Sequence, residues 1–215
     1  MISFCFLLPR LPTTGAWVVF TPTNHDRDPV FGLSATGTFA MTVTAGFFLF
    51  ECLALTWSDW TTNSLSKMLH LHHWLSLAGS VTVVLTEAGY TVASRSLTLE
   101  MSTPFSALCW MLLKAGLGRS WLWTVNQMVL LHAFHLRSVV ECHIWWNTFT
   151  HRQAIWADMP WSTFLSVYAA LSMFTFMATP YWGYKKTLQM GHPHDWNFEN
   201  DQDDTLKNGK LAKNE

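Results

Sequence analysis

Five stretches of this chain, 32–57, 68–88, 90–113, 121–149 and 161–182, each run for more than twenty residues with few charges. A helix of about 20 mostly apolar residues crosses the roughly 30 Å hydrocarbon core of a bilayer. Hydrocarbon offers the backbone no hydrogen-bond partner, so a spanning segment is either a helix or a strand of a closed barrel. Barrel strands alternate apolar and polar residues with a period of two, and these runs do not. The expected fold class is therefore an all-α membrane protein, a polytopic helical bundle with about five recognisable spans. The 90–113 stretch is the weakest, because it holds Arg95 and Glu100. Residues 4–20 read as an incomplete sixth span, so the chain is expected to begin partway through a longer fold.

Charge is distributed to match. Eleven of the 27 charged residues lie from Lys185 onward, leaving a charge-poor body and a solvated tail. Three segments follow: an N-terminal remnant and lumenal loop at 1–31, a transmembrane domain at 32–184, and a cytosolic tail at 185–215. The tail is expected to be ordered at first and disordered from 201, where it is predominantly polar. Lys67, Lys114, Arg119, Lys185 and Lys186 fall on one side of the alternating spans, and basic residues favour the cytosol. Trp57, Trp121, Trp145, Trp161 and Trp182 fall near span ends, where indoles collect. A net charge of −1 provides no field to attract nucleic acid. Cys5, Cys52, Cys109 and Cys142 form no C-x-x-C pair and read as free thiols rather than a disulfide framework.

The spans are costly to build. Glu51, His72, His73, Glu87, Arg95, Glu100, His132, His135, Arg137, Glu141 and His143 all fall inside them. A charged side chain at the centre of a spanning helix costs about 2.5–3.5 kcal/mol even on the lenient insertion scale. Spacing assigns faces. His73, Ser76, Ser80, Val83 and Glu87 form one stripe of the second span, with His72 at its edge. On the fourth span His132, His135, Val139 and His143 share a face, while Arg137 and Glu141 stand four apart on the opposite one, placed to pair. A helix that is polar on two sides belongs inside a bundle.

A neutral imidazole can serve as general base or as a nucleophile that carries an acyl group, with a carboxylate to orient it. His72, His73, Glu100, His132 and His135 are the candidate catalytic residues on that reading. The plainer one makes the histidines hydrogen-bonded core residues and Arg137–Glu141 a structural bridge. HLHH at 70–73, HAFH at 132–135 and HPHD at 192–195 suggest a metal centre only superficially, because the HxxHH spacing of histidine-box oxidases is absent. No metal site and no bound cofactor are expected.

From Leu69, LHLHHWLSLAGS followed by LTLEMSTPFSALCWMLLKAG resembles the TLC superfamily, which includes ceramide synthases and translocon-associated proteins. The fold expected on that resemblance is a bundle of the TLC type. LEMSTPF, WMLLKAG, VNQ before HAFHLR, CHIWW, PYWGYKKT and DWNF narrow the match to one branch, over residues 15–198. Resemblance to that branch implies residence in the endoplasmic reticulum membrane, with cycling through the intermediate compartment to the Golgi. It further implies a role in exporting newly made lysosomal enzymes and in lipid homeostasis. The implied partners are membrane lipids, lysosomal enzyme cargo, coat proteins and a second membrane protein of the endoplasmic reticulum. A dilysine-type retrieval signal is also implied, and the terminal LAKNE is a degenerate version of it.

The alternative is an acyltransferase with acyl-CoA as co-substrate. The paired Asp motif of the ceramide synthases is not evident here, so a lysophospholipid such as lysophosphatidylglycerol is the expected acceptor. On a third reading the polar groups only hold the bundle together.

Overall fold

The computed structural model describes residue 28 and residues 30–32, 34–62, 65 and 67–193. The expected remnant at 4–20 and the polar tail from 201 lie outside the described residues. Among the described residues there are helices and no strands, as an all-α membrane protein requires. The elements are α1 (Ala35–Thr62), α2 (Lys67–Thr86), α3 (Tyr90–Ser96), α4 (Thr103–Lys114), α5 (Trp121–Thr150), α6 (Arg152–Asp158), α7 (Trp161–Met173) and α8 (Thr179–Gly191). A 3₁₀ segment, Leu97–Ser102, joins α3 to α4, and a π turn, Phe174–Ala178, joins α7 to α8.

Ala35–Thr61, Lys67–Thr86 and the continuous run Trp161–Gly191 are long and apolar enough to cross a membrane. Helix α5 has the length, about 45 Å for its thirty residues, but carries several ionisable groups. Threonines lower the hydropathy of these helices without breaking them, because each hydroxyl turns back onto its own helix. Thr44, Thr56 and Thr86 donate to the carbonyls four residues earlier, at 2.7 Å in each case.

The helices pack as antiparallel neighbours. Helix α1 lies along α2, α2 along α7, and α5 along α4 and α8. Gly79 lets α2 approach the backbone of α7, where Val167 Cα would stand 3.9 Å from a Cβ at that position. Two hydroxyl pairs, Thr82–Ser166 and Thr86–Thr163, both 2.6 Å, fasten the seam. One apolar core joins α1, α2, α3 and α7, and a second, built on Cys109, Leu112, Trp123, Leu130 and Phe134, joins α4 to α5.

The two ends of the bundle are closed by different contacts. At one end Asp59 meets His70 at 2.9 Å, and Gly118 lies against Pro193. At the other, Gly89 takes a left-handed conformation (φ 79°), donates to the Val30 carbonyl at 2.7 Å and lies against Thr163 and Met159. One expectation needs correction. The 90–113 stretch is not one regular helix, since the 3₁₀ segment interrupts it around Glu100. Helix α8 continues to Gly191, through the first residues of the expected tail, a segment expected to be ordered.

Candidate functional site: a buried imidazole and carboxylate

His72 is the central polar group of the bundle, 5% exposed on α2. Its Nε2 stands 3.7 Å from Glu100 Oε1, within ion-pair range but too far for a hydrogen bond. Glu100 is placed by the 3₁₀ segment and held by Thr103, whose hydroxyl donates to its other oxygen at 2.7 Å. Pro104 follows in the first turn of α4, where the missing N–H costs nothing.

Three aromatic rings wall the imidazole edge to face. Phe174 lies 4.8 Å from the His72 ring, Trp182 5.7 Å and Phe48 5.8 Å, centroid to centroid. The His73 ring sits 4.7 Å away, and its buried Nδ1 has no hydrogen-bond partner among the described residues. Glu51 on α1 is also buried, with Oε1 unpartnered, within electrostatic range of Glu100.

A second polar cluster lies beyond Phe174. Arg137 and Glu141, both 2% exposed on α5, meet through Nε and Oε1 at 3.3 Å, as their four-residue spacing predicts. Thr179 at the start of α8 donates to the same Glu141 oxygen at 2.5 Å. The Arg137 guanidinium carbon sits 4.9 Å over the Phe174 ring, and Nη2 has no hydrogen-bond partner among the described residues. Phe174 is therefore shared, with an imidazole against one side and a guanidinium over it.

Of the five candidate residues, the structure brings together His72, His73 and Glu100. His132 and His135 are elsewhere, on the exposed side of α5, their rings 6.3 Å apart. Cross-links between α5 and α8 fix their level. Trp145 donates to Thr175, Thr179 to Glu141, and Gln127 to Lys186 and Gln189. Interpolation places His132 and His135 opposite Gly183 to Lys186, beside the basic end of α8. The stripe proposed for α2 also shifts. Its buried line is His72, Gly79, Ser80 and Val83, so His72 and not His73 faces the core.

Thr103 and Thr179, the two hydroxyls that hold the carboxylates, were not singled out from the sequence, nor were Phe48 and Phe174, and Trp182 was read only as an indole near a span end. Thr103 stands three residues after Glu100, which was a local signal. Thr179 comes from a segment 38 residues from Glu141, and nothing in the spacing reveals it. No group of three His, Cys, Asp or Glu residues that could hold a metal occurs among the described residues.

No family model matches the chain, and no solved structure matches it. Curated relatives do. The chain is 35% identical to Protein CLN8 of Mus musculus over 194 residues, covering 88% of this chain and 66% of that protein. It is 35% identical to Protein CLN8 of Homo sapiens over 185 residues, covering 86% and 65%, and 38% identical to that of Rattus norvegicus over 161 residues, covering 74% and 56%. The chain thus spans at most about two thirds of the length of these relatives. An alignment that runs through most of a helical chain at this identity, with the fold expected of it, settles the kinship: this is a CLN8-like membrane protein.

Proposed function

We propose that the chain works in the endoplasmic reticulum membrane, cycling through the intermediate compartment, and supports both the export of newly made lysosomal enzymes toward the Golgi and lipid homeostasis. The observation that carries this reading is its likeness to Protein CLN8 over 86–88% of its length. The short connections between helices give soluble cargo little to grip, so a second membrane protein would widen the lumenal surface, and coat proteins would meet the cytosolic end. The test is rescue. Cells lacking their CLN8 protein, supplied with this chain, should regain lysosomal enzyme content to near the level of cells that keep their own CLN8 protein. A well-expressed, correctly localised chain that restores none of it would overturn the proposal.

A chemical reading of the same role starts from His72 Nε2 and Glu100 Oε1, 3.7 Å apart inside the bundle. In acyl transfer from acyl-CoA to a lysophospholipid, the acceptor oxygen forms a bond to the acyl carbon and the carbon–sulfur bond breaks. His72 takes the hydroxyl proton and returns it to the departing thiolate, while Glu100 steadies the imidazolium between the two steps. His73, with its free Nδ1, adjoins the reacting centre. Purified protein given labelled acyl-CoA and lysophosphatidylglycerol should form the diacyl product, and His72→Ala should lower the rate by about 100-fold or more, as loss of a general base does. Product formation unchanged in His72→Ala removes the imidazole from the chemistry while leaving the export role standing.

A further inference from the structure

A guanidinium carries five N–H donors in a rigid planar fork. Arg137 brings that fork into the interior of the bundle, where the residue is 2% exposed. Its Nε donates to Glu141 Oε1 at 3.3 Å, whereas the buried Nη2 has no hydrogen-bond partner among the described residues. Leaving a donor of a charged group unused inside a protein is expensive, and a native structure that does so calls for a reason. The pairing with Glu141 does not supply one, because it leaves Nη2 unspent.

The fork is held in place. Thr179 fixes the Glu141 carboxylate from α8, and two rings flank the guanidinium carbon, Phe174 at 4.9 Å and Phe134 at 5.9 Å. Phe174 is also the ring that lies 4.8 Å from His72. The Arg137 charge is felt by His72 and by Glu100, the two groups to which proton movement is assigned, yet Nη2 donates to neither. A fixed, unspent donor thus stands near a buried base, with aromatic rings in place of water.

We propose that Arg137 is a further catalytic residue, its Nη2 donating to the thioester carbonyl oxygen of acyl-CoA as that oxygen takes up negative charge. This rests on the acyl-transfer reading of His72 and Glu100. As the acceptor oxygen bonds to the acyl carbon, the carbonyl π pair moves onto its oxygen, and Nη2 holds the resulting oxyanion. The pair then returns, the carbon–sulfur bond breaks, and the thiolate takes its proton from His72. A donor aimed in advance, in dry surroundings, needs no reorganisation when the charge appears. A permanently charged phosphate suits the position less well, because Glu100 and Glu141 already act on the same guanidinium. A neutral carbonyl meets no such repulsion on entry and gains its charge during the reaction.

The test uses the full chain in detergent with acyl-CoA and lysophosphatidylglycerol. Arg137→Lys keeps a positive charge for Glu141 but has no second nitrogen. Its kcat per folded molecule should fall about 100- to 1,000-fold, the loss that follows removal of one oxyanion donor, with the KM for acyl-CoA little changed. The double variant Arg137→Met, Glu141→Leu removes the donor without stranding a carboxylate, and its kcat should fall as far. Infrared spectroscopy separates chemistry from folding. In His72→Ala, where bound acyl-CoA stays intact, the isotope-labelled thioester carbonyl should stretch at lower frequency than in His72→Ala, Arg137→Lys, a shift that a purely structural arginine does not produce. A wild-type kcat in Arg137→Lys, or one carbonyl frequency in both backgrounds, overturns the proposal and leaves the His72 chemistry standing. A wild-type protein that forms no diacyl product overturns both.

Discussion

Arg137→Met would leave Glu141 buried without its guanidinium. Both side chains are 3% exposed, so water cannot replace the lost partner. Breaking a buried ion pair from one side costs about 3–5 kcal/mol, most of it the stranding of the remaining charge. Two features of this pair favour the lower end. The Nε–Oε1 distance of 3.3 Å is longer than the usual 2.7–2.9 Å of a charge-assisted bond, and Thr179 remains to donate to the same oxygen. Loss of the guanidinium over Phe174 adds about 0.5–2 kcal/mol. The expected loss is about 4 kcal/mol.

Adding Glu141→Leu should recover much of it. Replacing both members of a buried pair by apolar residues is often neutral or stabilising; the Thr179 hydroxyl is then left unpartnered, at about 1–3 kcal/mol, and Glu100, which also feels the Arg137 charge, lacks it in single and double variant alike. The double variant should therefore be about 2 kcal/mol more stable than Arg137→Met alone. Unfolding of the full chain in mixed micelles, titrated with a denaturing detergent, measures both. A loss below about 1 kcal/mol for Arg137→Met, or a double variant less stable than the single one, refutes the reasoning, since a buried unpaired carboxylate could not then be its cause.

Gly79→Leu should destabilise the bundle by about 1–3 kcal/mol through overpacking against the α7 backbone. Gly46→Leu, where a Cβ meets nothing within 4 Å, should leave the same micelle unfolding curve unchanged. Gly89→Ala meets both a left-handed φ of 79° and Thr163 Cγ2 at 3.1 Å, and should cost more than 1 kcal/mol in that measurement. Ser120→Ala removes the hydroxyl that accepts from the Trp123 N–H at 3.2 Å at the start of α5. The expected cost is about 1 kcal/mol, visible as faster amide exchange confined to the first turn.

Helix existence was legible because apolar run length is a property of the chain alone: 121–149 and Trp121–Thr150 differ by one residue. The Arg137–Glu141 pair was legible for the same reason, since four-residue spacing is internal to one helix. What depends on a neighbouring helix was not. A stripe drawn through polar groups selects His73, whereas the face α2 buries is chosen by Gly79, the residue that admits the backbone of α7. His132 and His135 read as core histidines because they sit in the middle of α5. Yet α5 begins beyond the end of α8, and that offset carries them to the level of the lysines. Inter-helix register is a relation between two segments, and neither segment states it.

The π turn at Phe174–Ala178 accounts for how one strand of chain serves both polar clusters. At about 100° per residue, positions five apart on an α-helix point about 140° away from each other. Phe174 and Thr179 are five apart, yet both face the core, one between His72 and Arg137, the other on Glu141. A π turn closes with five-residue spacing, so its first residue and the residue just past it share a side. Pro180, which has no N–H to donate, follows directly in the first turn of α8. Were 174–178 to tighten to α geometry, Thr179 would rotate off Glu141 or Phe174 would leave the imidazole and the guanidinium it touches, and one cluster would lose its wall. Wide turns of this kind occur mostly where function holds them in place. Phe174 at the start of this one lies against His72 and Arg137, and Thr179 just past it holds Glu141.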